Sequence, residues 1–312
     1  MIAYYLGAFA YGAMIALFVY RLIYTSDKKR WKKFTLFMLF MSLGVLLFGY
    51  EGESGVQIIQ LILGMIIFNG MLSTYGSDMN FVYLAFAIVY IFVSYAMGLA
   101  LMAQAMLLGM LSEVAMMKGI KEKTGDKHLE IRRDVIQIIF GIALISAFYL
   151  LNTMLADVIL LFVIILGVFV VNVSKDGRLK SLSKTMYYFE RRNTALGLGA
   201  LWLALGALIA VSFLATPYVI VIFGAIFIGD SAATIVGVSY KSARLPHNSG
   251  KSVAGSLVYF LTTFIIGYIV IGPLAIPIAF IAALVESLPW KLDDNFAVSI
   301  VLVAIILAVN AL

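Results

Sequence analysis

Long apolar runs separated by short polar breaks occupy nearly the whole chain. They cover roughly residues 2–20, 35–50, 56–74, 81–117, 135–151, 154–173, 195–215, 217–238, 253–272, 274–288 and 296–312. Many approach the ~20 residues a helix needs to cross a bilayer. The short alternating segments of a membrane barrel are absent. The pattern predicts an all-α fold, a polytopic transmembrane helical bundle. The 81–117 run is too long for one crossing: at ~1.5 Å per residue its helix would measure ~55 Å, against a hydrocarbon core of ~30 Å. It reads as two spans turning near Gly98, or as one span and an interfacial helix. The expected total is about 11–12 spans.

Composition agrees. Hydrophobic residues make up 63% of the 312 positions and charged residues 12%, and the mean hydropathy is +1.06. There is no cysteine, which excludes disulfides, thiolate metal sites and cysteine nucleophiles. The opening run has no basic residue before Arg21, so it reads as a retained first span rather than a cleaved leader.

The charge pattern orients the bundle. All 22 Lys and Arg fall in five stretches: 21–33, 118–133, 175–192, 241–251 and Lys291. The turns near 51–55, 74–80, 152–153, 216–218 and 272–274 carry none. The positive-inside rule places the five basic stretches on the cytoplasmic side. The net charge of +6 is then a topology signal and implies no nucleic-acid partner. The aromatic residues of "MYYF" at 186–189 read as an interfacial belt.

Candidate chemistry lies where acids persist in apolar surroundings. An ionisable group in a span costs a few kcal/mol and asks for a partner or a function. Asp230 sits in "VIVIFGAIFIGDSAATIVGV" and Glu286 in "FIAALVESLPW", with Asp293, Asp294 and Asn295 at the next cytoplasmic turn. Such oxygen ligands near one face suit Mg²⁺, which shares its shell with substrate phosphates. The alternative is plainer: Asp230 as a hydrogen-bonding residue between helices, and Asp293-Asp294 as the cap of the last helix. Between these acids lies "SYKSARLPHNSGKSVAGS". Gly250, Ser252, Gly255 and Ser256 permit close backbone approach there, and Lys251 supplies a positive charge near a helix start, where phosphate is favoured. It is no Walker A loop, because Leu245 stands where the pattern requires glycine. A capped helix after a basic loop explains the same residues, and His247 reads as a solvated loop histidine.

These segments resemble the membrane-bound isoprenoid alcohol kinases, the dolichol kinase and phytol kinase family. Gly229, Asp230, Ala233, Gly237, Leu245, Pro246, Lys251, Ser252, Gly255 and Ser256 match its first signature, and Glu286, Asp293, Asp294 and Asn295 its second. A weaker echo, "HLEIRRDVIQIIFG", matches at Glu130 and Arg133 and departs at Asp134 and Gln137. The resemblance covers about residues 125–312, so 121–312 is expected to be the catalytic transmembrane domain and 1–120 a set of scaffold helices.

The resemblance implies CTP as phosphoryl donor, Mg²⁺, and a membrane-embedded prenyl alcohol as acceptor. It implies that Asp230, Lys251 and the Asp293–Asn295 turn lie in the nucleotide-metal site. On this reading Asp230, with Glu286, Asp293 or Asp294, holds the metal. Lys251 and the N–H groups around Gly250–Gly255 cradle the triphosphate, Arg244 and Arg133 neutralise charge on the leaving nucleotide, and Asp230 is the candidate base. Ala254 stands where dolichol kinases and the related CDP-lipid synthases tend to carry glutamate, so the resemblance leans to the phytol kinase side, with a CDP-lipid-forming cytidylyltransferase as the alternative. An ion-coupled transporter would instead show related halves and midplane acids, which the chain lacks.

Overall fold

A computed structural model describes residues 37, 55–73, 82, 84–91, 99–114, 127–175, 180–189, 195–240, 242–290 and 293–310. The expected span at 2–20, nearly all of that at 35–50, the basic stretch 21–33 and the turn near Gly98 lie outside the described residues, as do Lys241 and Lys291. The chain divides into two compact units, one of residues 1–118 with 161–183 and one of 119–160 with 184–312.

In the first unit, α1 (Gly55–Ser73) packs along α2 (Leu99–Val114). Their core is formed by Leu61, Ile62, Met65, Ala105 and Leu108. Close approach depends on Gly109, where a side chain would meet the Met65 carbonyl oxygen at 2.7 Å. A helical stretch over 84–91 anchors Tyr90, which donates from its hydroxyl to the Gln60 carbonyl at 2.7 Å.

The second unit is built from α3 (Lys127–Leu150), the first residues of α4 (Thr153–Lys175), the end of α5 (Lys180–Phe189), α6 (Leu198–Phe213), and the helices after it. Next comes one continuous helical run: α7 (Thr216–Phe223), a π turn (Gly224–Gly229) and α8 (Asp230–Ser239). A two-stranded antiparallel hairpin follows, β1 (Arg244–Leu245) with β2 (Asn248–Ser252). The chain closes with α9 (Val253–Ile271), a 3₁₀ turn (Gly272–Leu274), α10 (Ala275–Ser287) and α11 (Asp294–Asn310).

The architecture is an all-α membrane helical bundle. Four helical runs are long and apolar enough to cross a bilayer, and four shorter apolar helices accompany them among the described residues. One of the long runs, 253–287, breaks at Gly272, whose φ of 61° is open to glycine and strained for other residues. Its halves, α9 and α10, pack on one another, matching the two separate segments expected there. Among the described residues, the hairpin is a departure from helix that the sequence pattern did not indicate.

Helix α9 shows how side chains divide between lipid and protein. Leu257, Leu261, Ile265 and Ile269, spaced by four, are exposed as a lipid-facing stripe, whereas Tyr259 and Thr263 are fully buried against the bundle. Apolar outside and polar inside is the arrangement a bilayer favours, because hydrocarbon penalises an exposed polar group.

Candidate functional site

The site forms where α8, the hairpin, α10 and α11 meet in the second unit. Asp230 is the first residue of α8, directly after the π turn. Its Oδ2 accepts from Asn295 Nδ2 at 3.3 Å, which ties α8 to the first turn of α11. Lys251, on β2, donates to Glu286 Oε1 and lies 3.1 Å from Asp294 Oδ2. Glu286 is 3% exposed and its Oε2 has no hydrogen-bond partner among the described residues. Of the acids singled out in the sequence, Glu286 and Asp294 pair with one lysine and Asp230 lies in its electrostatic reach.

Electrostatics fix the charge of that lysine. Burial opposes the ammonium, but Glu286, then Asp294 and Asp230, outweigh it and hold Lys251 above the ordinary lysine range. A cation whose neighbours are three carboxylates stays protonated at any physiological pH.

Helix ends and hydrogen bonds put the hairpin there. Ser252 caps α9, its Oγ accepting from Gly255 N at 3.1 Å. The next donors are also engaged: Ala254 N by Ser242 Oγ at 3.2 Å and Val253 N by the Ala243 carbonyl at 2.9 Å. Gly250 N is held by Asn248 Oδ1 at 3.1 Å. The backbone N–H groups of Gly250 and 253–255, expected to face phosphate, are therefore committed within the chain, and the charge the hairpin turns toward the acids is Lys251. The far side of the hairpin is clasped to the end of α10: Asn248 Nδ2 donates to the Ser287 carbonyl at 3.0 Å, and His247 Nε2 pairs with Ser287 Oγ at 3.1 Å. His247 is exposed, as expected of a loop histidine, and it also takes part in this clasp.

Other residues in the sequence reading take structural roles. Gly229 lets α9 approach, since a side chain there would meet Thr263 Oγ1 at 3.1 Å. Gly255 does the same for α8, with the Ala233 carbonyl oxygen at 3.0 Å. Ser256 is buried in α9 with an unpartnered hydroxyl among the described residues. Asp293 begins α11: its Oδ1 accepts from Asn295 N at 3.1 Å and its carbonyl from Ala297 N at 3.0 Å. Arg244 reaches across the hairpin to the Gly250 carbonyl at 3.5 Å. Arg133 lies on α3 beside Asp134 at 3.6 Å.

Tyr259, which the sequence reading passed over, sits fully buried in electrostatic reach of Glu286, Asp230 and Asp294, its hydroxyl unpartnered among the described residues. A tyrosine in an apolar run gives no sign of this from sequence.

No three carboxylate or imidazole groups converge as a ready-made cation cage among the described residues. The donor chemistry still suits Mg²⁺, which is held by one or two carboxylates while phosphates and water complete its shell. Asp230 and Asp294, both in electrostatic reach of Lys251, are the carboxylates that would serve in that way.

The fold and site together define a membrane helical protein with a lysine-centred acid cluster at one end of its bundle. Its relatives are distant. An uncharacterized protein of Methanocaldococcus jannaschii is 29% identical over 181 residues, covering 57% of this chain and 92% of that protein. Probable phytol kinase 1, chloroplastic, of Glycine max is 35% identical over 95 residues, covering 25% of this chain and 32% of the kinase. Farnesol kinase, chloroplastic, of Arabidopsis thaliana is 30% identical over 146 residues, covering 40% of this chain and 45% of the kinase. The chain therefore spans less than half the length of either kinase. No family model matches the chain, and no solved structure does.

Proposed function

We propose that the chain is an integral-membrane phosphotransferase that moves the γ-phosphate of CTP to an isoprenoid alcohol and releases the lipid monophosphate and CDP. The observation that carries the reading is the convergence of Asp230, Asn295, Lys251, Glu286 and Asp294 from four separate elements. The two plant relatives, named for phytol and farnesol, support an acceptor of this class. CTP as the donor rests on the signature resemblance alone, as does the cytoplasmic orientation on the basic loops.

Phosphoryl transfer asks a protein for positioning and charge neutralisation more than for covalent chemistry. Lys251 stays cationic and meets the γ-phosphate oxygens, exchanging an acidic partner for the incoming anion. Asp230 and Asp294 would hold Mg²⁺, which when bound neutralises phosphate charge. The acceptor enters from the lipid with its chain left among the bundle's apolar faces. Its hydroxyl oxygen forms the new bond to the γ-phosphorus, the bond from that phosphorus to the β–γ bridging oxygen breaks, and CDP departs with the electron pair. The hydroxyl proton passes to Asp230, held by Asn295.

The test uses membranes containing the full chain, a prenyl alcohol, Mg²⁺ and γ-labelled CTP. Wild type yields labelled lipid phosphate, and Asp230→Asn and Lys251→Ala each abolish it. Wild-type-like turnover by either variant removes that residue from the site.

A further inference from the structure

The run that delivers Asp230 does not hold α-helical register. Through the π turn Gly224–Gly229, the Asp230 N–H reaches back five residues to the Ala225 carbonyl. In an α-helix it would reach the Ile226 carbonyl, four residues back. That same carbonyl accepts from Gln137 Nε2, on α3, at 3.0 Å. The side chain therefore fills the acceptor that the α register would require. A π turn is rare and occurs mostly as a single turn inside an α-helix, frequently at functional sites.

Further contacts from α3 press on the same turn. Phe140 packs its ring 5.7 Å from that of Phe227, and Phe148 lies 5.2 Å from Phe223 in an edge-on arrangement. Gly141 leaves room for Phe227, whose Cβ a side chain there would meet at 2.5 Å. Apolar contacts of this kind fix the separation of the helices without choosing a hydrogen-bond register. The Gln137 amide is directional and does choose one.

Register decides where Asp230 points. One residue of slip turns a helical side chain by about 100°. Such a turn would carry the carboxylate away from Asn295, 3.3 Å distant, and from Lys251 beyond it. We propose that Gln137 is a positioning residue that locks the π register ahead of Asp230 and so aims its carboxylate into the acid–lysine cluster. The role of Asp230 in transfer rests on the function proposed above; the register lock does not.

Gln137→Leu keeps the bulk and removes the donor, whereas Gln137→His restores a ring N–H donor. In the detergent-purified full chain, hydrogen exchange of peptides covering 224–239 is expected to rise about tenfold or more in Gln137→Leu and to fall back in Gln137→His. With γ-labelled CTP and a prenyl alcohol, kcat is expected to drop roughly ten- to a hundredfold in Gln137→Leu, as for a misplaced reacting group, with the nucleotide KM little changed and partial recovery in Gln137→His. Unchanged exchange at 224–239 in Gln137→Leu overturns the inference. Faster exchange with full kcat overturns it too, because the register then aims nothing. If wild type labels no prenyl alcohol, the functional reading fails, and the exchange measurement alone decides the lock.

Discussion

Lys251 Nζ lies 3.1 Å from Asp294 Oδ2 and also holds Glu286, so one cation on a short hairpin joins two helices that follow it in the chain. The arrangement has two consequences. Without the lysine, Glu286 is left buried and unpaired at the end of α10. With it, the two acids share one cation and the ends of α10 and α11 are held to the hairpin.

The first consequence concerns stability. Removing one partner of a buried ion pair costs ~3–5 kcal/mol, because the remaining charge is stranded. The Lys251 side chain is 23% exposed, so the lower end applies, about 3 kcal/mol for Lys251→Met. Adding Glu286→Gln should recover most of that loss. Thermal unfolding of both variants in detergent measures it, and a double variant no more stable than the single one would contradict the pairing.

A second prediction concerns pH. The folded value for Lys251 stands above its ordinary 10.5, so the pair's contribution is complete below that value and is lost only as pH climbs through the elevated one. Transfer rate against pH should therefore show no alkaline limb from Lys251 between about pH 7 and 10. A limb in that window that moves in Lys251→Arg would show the ammonium to be far less stabilised.

The clasp of the hairpin gives a third. Asn248→Ala removes the bond to the Ser287 carbonyl, worth ~1 kcal/mol. Its effect should fall on nucleotide KM, raised severalfold by a loosened Lys251, with smaller change in kcat. Steady-state kinetics against CTP separate the two, and an unchanged KM would detach the clasp from the site.

Gly255 provides a fourth. A Cβ at this position would stand 3.0 Å from the Ala233 carbonyl, a backbone atom that cannot swing aside. Gly255→Val should cost ~1–3 kcal/mol by forcing α8 from α9. Denaturation midpoints check this, and a stability equal to wild type would show that the helices have slack.

Much of the second unit was legible in the residues. Apolar runs at 135–151, 195–215 and 217–238 became α3, α6 and the helix carrying the π turn, because apolar length alone dictates a helix in lipid. Asp230 and Glu286 were found because a charge in such a run stands out. What escaped the sequence depends on contacts between distant segments. The hairpin 244–252 rests on only a short ladder and on its clasp to Ser287, which no local pattern announces. The carbonyl freed by the π turn is met by Gln137 from α3, and a glutamine within a helix does not announce which distant carbonyl it meets. Gly255 read as allowing close backbone approach, and the backbone that approaches it is that of Ala233 on α8. The N–H groups of 253–255 read as an anion cradle, but Ser242, Ala243 and Ser252 engage them.

The account is tested most directly by where label goes. Purified wild-type chain in lipid vesicles with Mg²⁺ and geranylgeraniol is given CTP labelled at either the α- or the γ-phosphate, and the lipid is extracted. The expected result is γ-label in the lipid and none from the α position. Label from the α position would mean nucleotidyl transfer, and absence of both across a panel of prenyl alcohols would contradict a phosphotransferase of this class.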